Sequence, residues 1–330
     1  MSRHANISIF VPHLGCPVHC SFCNQCTITG QLKNATVQDI NRAVAECMQS
    51  KSYDPQNTEI AFFGGSFTAI DRTLMMQLLE CAFEHVKSGN VCGIRLSTRP
   101  DAIDCEILDI LKSNGVTAIE LGAQSMDDGV LLANRRGHTA DSVRNAARLI
   151  KQYGFELGLQ MMTGLYTDTD EKSIHTAKEL IALKPDCVRI YPTIVLKGTQ
   201  LEKLVQSGEY KPQELYSAVN LAARLVLMFE QENITVIRVG LHTLESDSFV
   251  AGPWHAAFGE LCEGEIFKNL LLQRMENKGN YTVYCAKSAV SKVVGHKQRN
   301  IEILRGLGYN YKVICDPNLT GRQLRVKEDI

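Results

Sequence analysis

The feature that most narrows the folds open to this 330-residue chain is an alternation of short apolar runs with helix-patterned segments. The runs are NISIFV (6–11), TEIAFFGG (58–65), GIRLST (93–98), AIELGAQ (118–124), FELGLQMM (155–162) and VRIYPT (188–193). Each has the near-continuous apolar and β-branched composition of a parallel strand covered on both faces. Between them, apolar residues recur at helical spacing, as in Leu74, Leu78, Leu79 and Ala82 or Val143, Ala146, Ala147 and Ile150. Gly115 and Gly154 stand just before the next run, where a helix C-terminus calls for a left-handed residue. Strands that alternate with helices build a parallel sheet through right-handed crossovers. A closed eight-unit barrel usually needs about 250 residues of regular spacing, and here the pattern loosens after VRIYPT. The expected fold is therefore α/β, a partial (β/α)6 TIM-like barrel over residues 1–244 with ITVIRVGL (234–241) as a closing strand. In such a sheet the functional site gathers at the carboxyl ends of the strands.

Beyond residue 245 the repeat stops. AGPWHAAFGELCEGEIF carries the single tryptophan, and YTVYCA, VSKVVGHKQRNIEILRGLG and YKVIC then read as a small α/β subdomain over residues 245–330. With 45% hydrophobic and 22% charged residues, the composition is that of an ordinary globular protein, which excludes disorder and fibrous structure. LAARLVLMF is interrupted by Arg224 and ISIFV is too short for a signal-peptide core, so no membrane contact and a cytoplasmic location are expected. The net charge of -1 conceals an asymmetry: from residue 270 onward eleven Lys/Arg face five Asp/Glu, a basic end on an acidic body. That end is either a solvated surface or the footprint of an anionic partner.

Of twelve cysteines, eight are scattered through apolar runs, such as those around Cys81 and Cys187, and read as buried free thiols in a reducing compartment. The other four, Cys16, Cys20, Cys23 and Cys26, fall within GCPVHCSFCNQC, immediately after the first run. The C-x3-C-x2-C spacing of the first three lets thiolates on a short loop converge on one face of an iron-sulfur cubane and leave its fourth iron open. Cys20, Cys23 and Cys26, with His13 and His19 nearby, also offer the ligand types of a tetrahedral zinc site.

The loop's C-x3-C-x-F-C form, with Phe22 before Cys23, resembles the signature of radical S-adenosylmethionine (SAM) enzymes. FFGGSF (62–67), LSTRPD (96–101), IELGAQS (119–125), NRRGHT (134–139), LQMMTGL (159–165) and RIYPTIVLKGT (189–199) follow at successive strand ends. In that order they resemble the radical SAM domain of the elongator catalytic-subunit family, which modifies wobble uridine in tRNA, over residues 5 to 262. A more distant likeness reaches the oxygen-independent coproporphyrinogen oxidases. The resemblance implies a 4Fe-4S cluster on Cys16, Cys20 and Cys23, with SAM chelated at the open iron and Cys26 unassigned. It implies that Gly64, Gly65 and Ser66 admit the methionine end of SAM, and that Gln124 bonds its ribose. Arg136 would pair with its carboxylate, and Gln160, Met161 and Met162 would lie along its adenosine. Tyr191 and Lys197 fall on the substrate side, as catalytic candidates. Ser97 stands where the family has glutamate, which shortens one expected SAM contact. The likeness does not extend to the acetyltransferase domain or to the N-terminal RNA-binding extension of that family.

VSKVVGHKQRNIEIL resembles the core of a KH domain, with Gly295 at the first glycine and Gln298 in place of the second. Lys292, Lys297 and Arg299 would suit phosphate, and a basic helix capping the barrel fits the segment as well. Trp254 and His255 are expected near the barrel mouth. The reading that follows is a radical SAM enzyme that abstracts a hydrogen atom from RNA, with tRNA as the expected partner and flavodoxin or ferredoxin as electron donor. A radical SAM enzyme on a small molecule or porphyrin precursor, and a non-catalytic zinc-stabilised RNA-binding protein, are the alternatives.

Overall fold

The computed structural model describes residues 4–11, 19–24, 35–241 and 248–329. Its first half runs β1 (Ala5–Val11), α1 (Val37–Met48), β2 (Thr58–Gly64), α2 (Arg72–Lys87), β3 (Gly93–Thr98), α3 (Cys105–Ser113), β4 (Val116–Gln124), α4 (Asp128–Ala133), α5 (Ala140–Gln152), β5 (Glu156–Thr163), α6 (Asp170–Ala182) and β6 (Cys187–Pro192). Then come β7 (Val195–Leu196), α7 (Gln200–Gln206), α8 (Leu215–Gln231), β8 (Thr235–Val239) and β9 (Phe249–Ala251). The chain ends with α9 (Phe258–Arg274), β10 (Gly279–Cys285), α10 (Val290–Val294), α11 (Arg299–Gly306), β11 (Tyr309–Cys315) and β12 (Leu324–Glu328).

The large sheet has the order β1-β2-β3-β4-β5-β6-β8, every pair parallel, and curls into a half-barrel. ITVIRVGL thus supplies a seventh strand, but among the described residues β8 pairs in this sheet with β6 alone and lies at the sheet's far edge from β1. It extends the sheet rather than closing it, because a filled closed barrel takes about eight strands of matched tilt and stagger. Helix starts are fixed locally. Thr36, Asp71, Asp104, Asp127, Thr139, Thr169 and Thr199 each accept a backbone N–H from the first turn of the helix that follows, a cap typically worth about 1 kcal/mol. Gly115 and Gly154 end α3 and α5 with φ of +71° and +76°, a conformation glycine adopts without Cβ strain.

The outward faces of the strands bury Ile60, Phe62, Ile94, Leu96, Leu121 and Leu159 in one core with the helices. Helix α9 belongs to this core through Phe258, Leu261 and Ile266, and through Phe267 and Leu271 it joins a second core with Val283, Cys285, Val293 and Leu304. One helix therefore seats the C-terminal sheet, β11-β10-β12, against the half-barrel. Among the described residues no helix is long and apolar enough to cross a membrane.

Candidate active site

The carboxyl ends of β1 to β6 surround a cavity of about 430 Å³. One wall is the cysteine loop. Ser21 anchors it: its N–H donates to the Asn134 carbonyl (3.2 Å) and its hydroxyl to Asn134 Oδ1 (2.7 Å). Asn134 is fully buried and in turn donates to the carbonyls of Val130 and Tyr166. A tight turn, Cys23 N–H to Cys20 carbonyl (3.2 Å), sets both thiols and Phe22 on the cavity lining. The same two cysteines also line an outer cleft of about 710 Å³ that His19, Arg135 and Lys203 border. They form a partition between the two spaces. Cys16 and Cys26, like His13, lie outside the described residues.

Gly64 ends β2 at φ +108°, and a Cβ there would sit 3.2 Å from the Val11 carbonyl oxygen. Gly65 donates its N–H to that oxygen at 2.7 Å, so the two glycines let β1 and β2 close up at the cavity edge. Ser66 is buried, with its hydroxyl engaged by Thr98 Oγ1 (3.0 Å) and the Arg99 N–H (3.1 Å). It ties β2 to β3. Gln124 sits at a register break between β4 and β5 with φ of +65°. Holding a non-glycine residue there costs on the order of 1–3 kcal/mol, strain that clusters at functional sites. The result is an amide in the cavity whose Oε1 is buried and accepts no hydrogen bond from the described residues.

Arg136 reaches the cysteine wall: Nη1 donates to Cys20 Sγ (3.1 Å) and Nη2 to the Gly122 carbonyl (2.6 Å), over the Phe22 ring. Its Nε is buried and finds no partner among the described residues. Arg99 holds it from behind by donating to the Arg136 carbonyl (3.0 Å). His138, two residues on, is buried; burial first, and then the Arg136 charge, bring its imidazole down to about 4. It is neutral at ordinary pH.

The cavity floor is ionic. Glu120, fully buried, accepts a bidentate pair from Arg189 (2.6 and 2.9 Å) and a third bond from Gln160 Nε2 (2.9 Å). Gln160 also donates to Ser97 (3.2 Å), so the serine is tethered to this floor and leaves room above it. Below, Arg95 binds Glu59 and Glu156 at 2.9 Å each. Met162 and Tyr191 complete the lining, and burial pushes the Tyr191 phenol up. Met161, by contrast, is buried in the outer core. Lys197 is exposed beside the cysteine loop, where its carbonyl accepts from Asn24 (2.9 Å), and it does not line the cavity with Tyr191. Trp254 packs with Ile194, Leu196, Leu241 and Phe249, and His255 lies edge-on to His296, their ring centres 5.2 Å apart.

Sequence reading passed over Glu120, Arg189, Arg99 and Asn134. Its available signal was one charged residue inside each of several apolar runs: Glu59, Arg95, Glu120 and Arg189. Such residues are rarely buried unless paired.

Thiols, an arginine, an unsatisfied amide and a glycine cradle line one cavity at the strand ends of a parallel half-barrel, where α/β enzymes of this architecture gather their sites. The chain belongs to the Radical SAM superfamily, whose profile matches residues 10–180, just over half of its length; that of the Radical_SAM C-terminal domain matches residues 185–268. It is a radical SAM enzyme, and that family implies SAM and an iron-sulfur cluster. The non-catalytic zinc-protein alternative gives way. Human Elongator complex protein 3 is 29% identical over 203 residues, 56% of this chain and 37% of that one. The tRNA uridine(34) acetyltransferase of Methanocaldococcus jannaschii is 32% identical over 215 residues, 59% and 40% of the two chains. This chain therefore spans well under two thirds of these relatives. The solved archaeal Elp3 of Methanocaldococcus infernus, with an N-terminal deletion, shares the fold at a TM-score of 0.68 and 19% identity, covering 85% of this chain and 66% of that one.

Proposed function

We propose that the cavity holds SAM against a 4Fe-4S cluster on Cys16, Cys20 and Cys23, and that the substrate from which a hydrogen atom is taken is RNA. The observation that carries this reading is that Cys20 and Cys23 share one cavity with Gln124 and Arg136, whose Oε1 and Nε are buried polar atoms without partners among the described residues. Buried polar groups left in that state call for a partner, and here a bound ligand would supply one. When bound, the cluster would supply the electron for reductive cleavage of SAM. The protein's part is placement. Arg136 holds a carboxylate beside the Cys20 sulfur, Gln124 orients a ribose, and Gly64 with Gly65 lets the backbone approach an amino group. The Glu120 and Arg189 floor and the Phe22 ring exclude water. Tyr191 faces the substrate side, whereas Lys197 would act only from the rim. The outer cleft beside Cys20 and Cys23 gives an electron donor of the flavodoxin or ferredoxin class its approach.

RNA is favoured by the relatives, one of which is a tRNA uridine(34) acetyltransferase, and by the C-terminal part, whose functional boundary we place at residues 244 and 245. There α10 and α11 are joined through Gly295, and Gln298 takes a left-handed conformation (φ +63°) at the position of the second KH glycine. Lys297, also left-handed (φ +51°), belongs to that loop. Arg322, however, is bound by Glu263 and Glu230, and Lys292 by Glu263, so the charge left for phosphate reduces to Lys297, Arg299 and their neighbours. The test incubates reduced, cluster-loaded protein with SAM and with or without total tRNA. The expected result is 5'-deoxyadenosine formation that rises with RNA; turnover indifferent to RNA and stimulated by small metabolites would overturn the RNA reading.

A further inference from the structure

The free edge of the half-barrel carries a cation that nothing described neutralises. Arg238 lies on β8, beside Arg189 in the strand register. Tyr191 follows two residues along β6, on the same face as Arg189 because strand side chains alternate. Arg189 is matched by the bidentate Glu120 carboxylate (2.6 and 2.9 Å). Of the other interior carboxylates, Glu59 and Glu156 are bound by Arg95. Arg238 is half-buried, and its Nε donates to the Gly240 carbonyl (3.1 Å). Among the described residues no carboxylate lies in ion-pair range of it. A guanidinium stays charged wherever it is placed, and a partly desolvated cation costs free energy until an anion joins it.

The Tyr191 hydroxyl carries an O–H that can donate. Tyr191 and Leu241, which follows Gly240, both line the cavity. Tyr191 thus places a neutral donor in the lining, and Arg238 adds a cation next to it on the neighbouring edge strand, just outside that lining. We propose that Arg238 and Tyr191 form an anion subsite that seats a phosphate or carboxylate group of the reacting molecule. The assignment rests on reading this cavity as the reaction chamber. It makes the substrate an oxyanion held at the open edge of the sheet, and it gives β8 a role beyond extending the barrel.

Ligand-observed nuclear magnetic resonance at fixed ionic strength tests it, with inorganic phosphate in one arm and acetate in the other. Wild type is compared with Arg238→Gln and Arg238→Lys, and SAM binding is measured on each. Saturable binding of one anion is expected, weakened about tenfold or more in Arg238→Gln, the factor a charge-assisted hydrogen bond supplies. Arg238→Lys should retain part of it, which keeps the result interpretable if the glutamine variant folds poorly. Loss in the phosphate arm assigns a phosphate group, and loss in the acetate arm a carboxylate. If neither anion saturates, or Arg238→Gln binds as wild type does, the subsite is refuted while intact SAM binding leaves the cofactor reading standing. Wild type that fails to bind SAM overturns the cofactor reading, and the anion arms still report on Arg238.

Discussion

Replacing Glu120 by glutamine tests the ionic floor of the cavity with almost no change of shape. The Glu120 side chain is 1% exposed and that of Arg189 11%. The substitution turns one carboxylate oxygen into an N–H2 group that points a donor at a guanidinium donor, and it removes the charge that neutralises Arg189. Breaking a buried pair by deleting one partner costs about 3–5 kcal/mol, because the other charge is left buried and uncompensated. A chain of 330 residues unfolds with an entropy of roughly 0.7 kcal/mol per kelvin, from about 2.1 cal/mol/K per residue. Thermal unfolding of Glu120→Gln, followed by circular dichroism, should therefore fall by about 4–7 °C. Removing both charges leaves Arg95, 3.7 Å from Glu120, still held by Glu59 and Glu156. Glu120→Gln combined with Arg189→Met should consequently lose less than the sum of the two single variants, with a coupling of about 0.5–3 kcal/mol. A fall of under about 1 °C in the single variant, or strict additivity in the double one, would refute the claim that Glu120 and Arg189 are a coupled buried ion pair.

Three further expectations follow from the same geometry. His138 titrates near 4 in the folded chain and near 6.5 when unfolded. Its contribution is complete above pH 6.5 and is lost as the pH falls towards 4, by roughly 3 kcal/mol. A pH series of melting temperatures should be flatter over that window in His138→Gln, and a parallel slope would count against burial of the neutral ring. Gly64→Ala places a Cβ 3.2 Å from the Val11 carbonyl at a φ of +108°, so it should cost about 1–3 kcal/mol and weaken SAM binding. Equilibrium denaturation and a SAM titration read the two effects, and wild-type values in both would contradict the cradle. Cys20→Ser and Cys23→Ser should each lose bound iron while retaining the far-ultraviolet spectrum of the folded chain, and iron retained in either would remove that residue from the ligand set.

Strand positions were readable because a buried parallel strand leaves a local trace. GIRLST coincides with β3 (Gly93–Thr98), and VRIYPT is one residue out of phase with β6 (Cys187–Pro192). The glycine stops at Gly115 and Gly154 were legible for the same local reason. The polar interior was not. Arg95 meets Glu59 across 36 residues of sequence and Arg189 meets Glu120 across 69, and only the strand register brings those heights together. Tyr191 and Lys197 lie in a single motif, yet the chain bends away after β6 and leaves one in the cavity and the other on the rim. Ser66 shows another limit: its place in FFGGSF suggests a ligand contact, while its hydroxyl is already committed to the Thr98 side chain and the Arg99 backbone. A motif names neighbours of a site without saying which of their atoms are spoken for.

The central claim is that the loop of Cys16, Cys20 and Cys23 serves a SAM-binding iron-sulfur centre, and metal and sulfide analysis of protein purified and reconstituted without oxygen tests it most directly. The account predicts a brown protein with about four iron and four sulfide per chain, bleached on reduction and perturbed in its spectrum by SAM. A colourless, redox-silent protein holding stoichiometric zinc and no sulfide would contradict it.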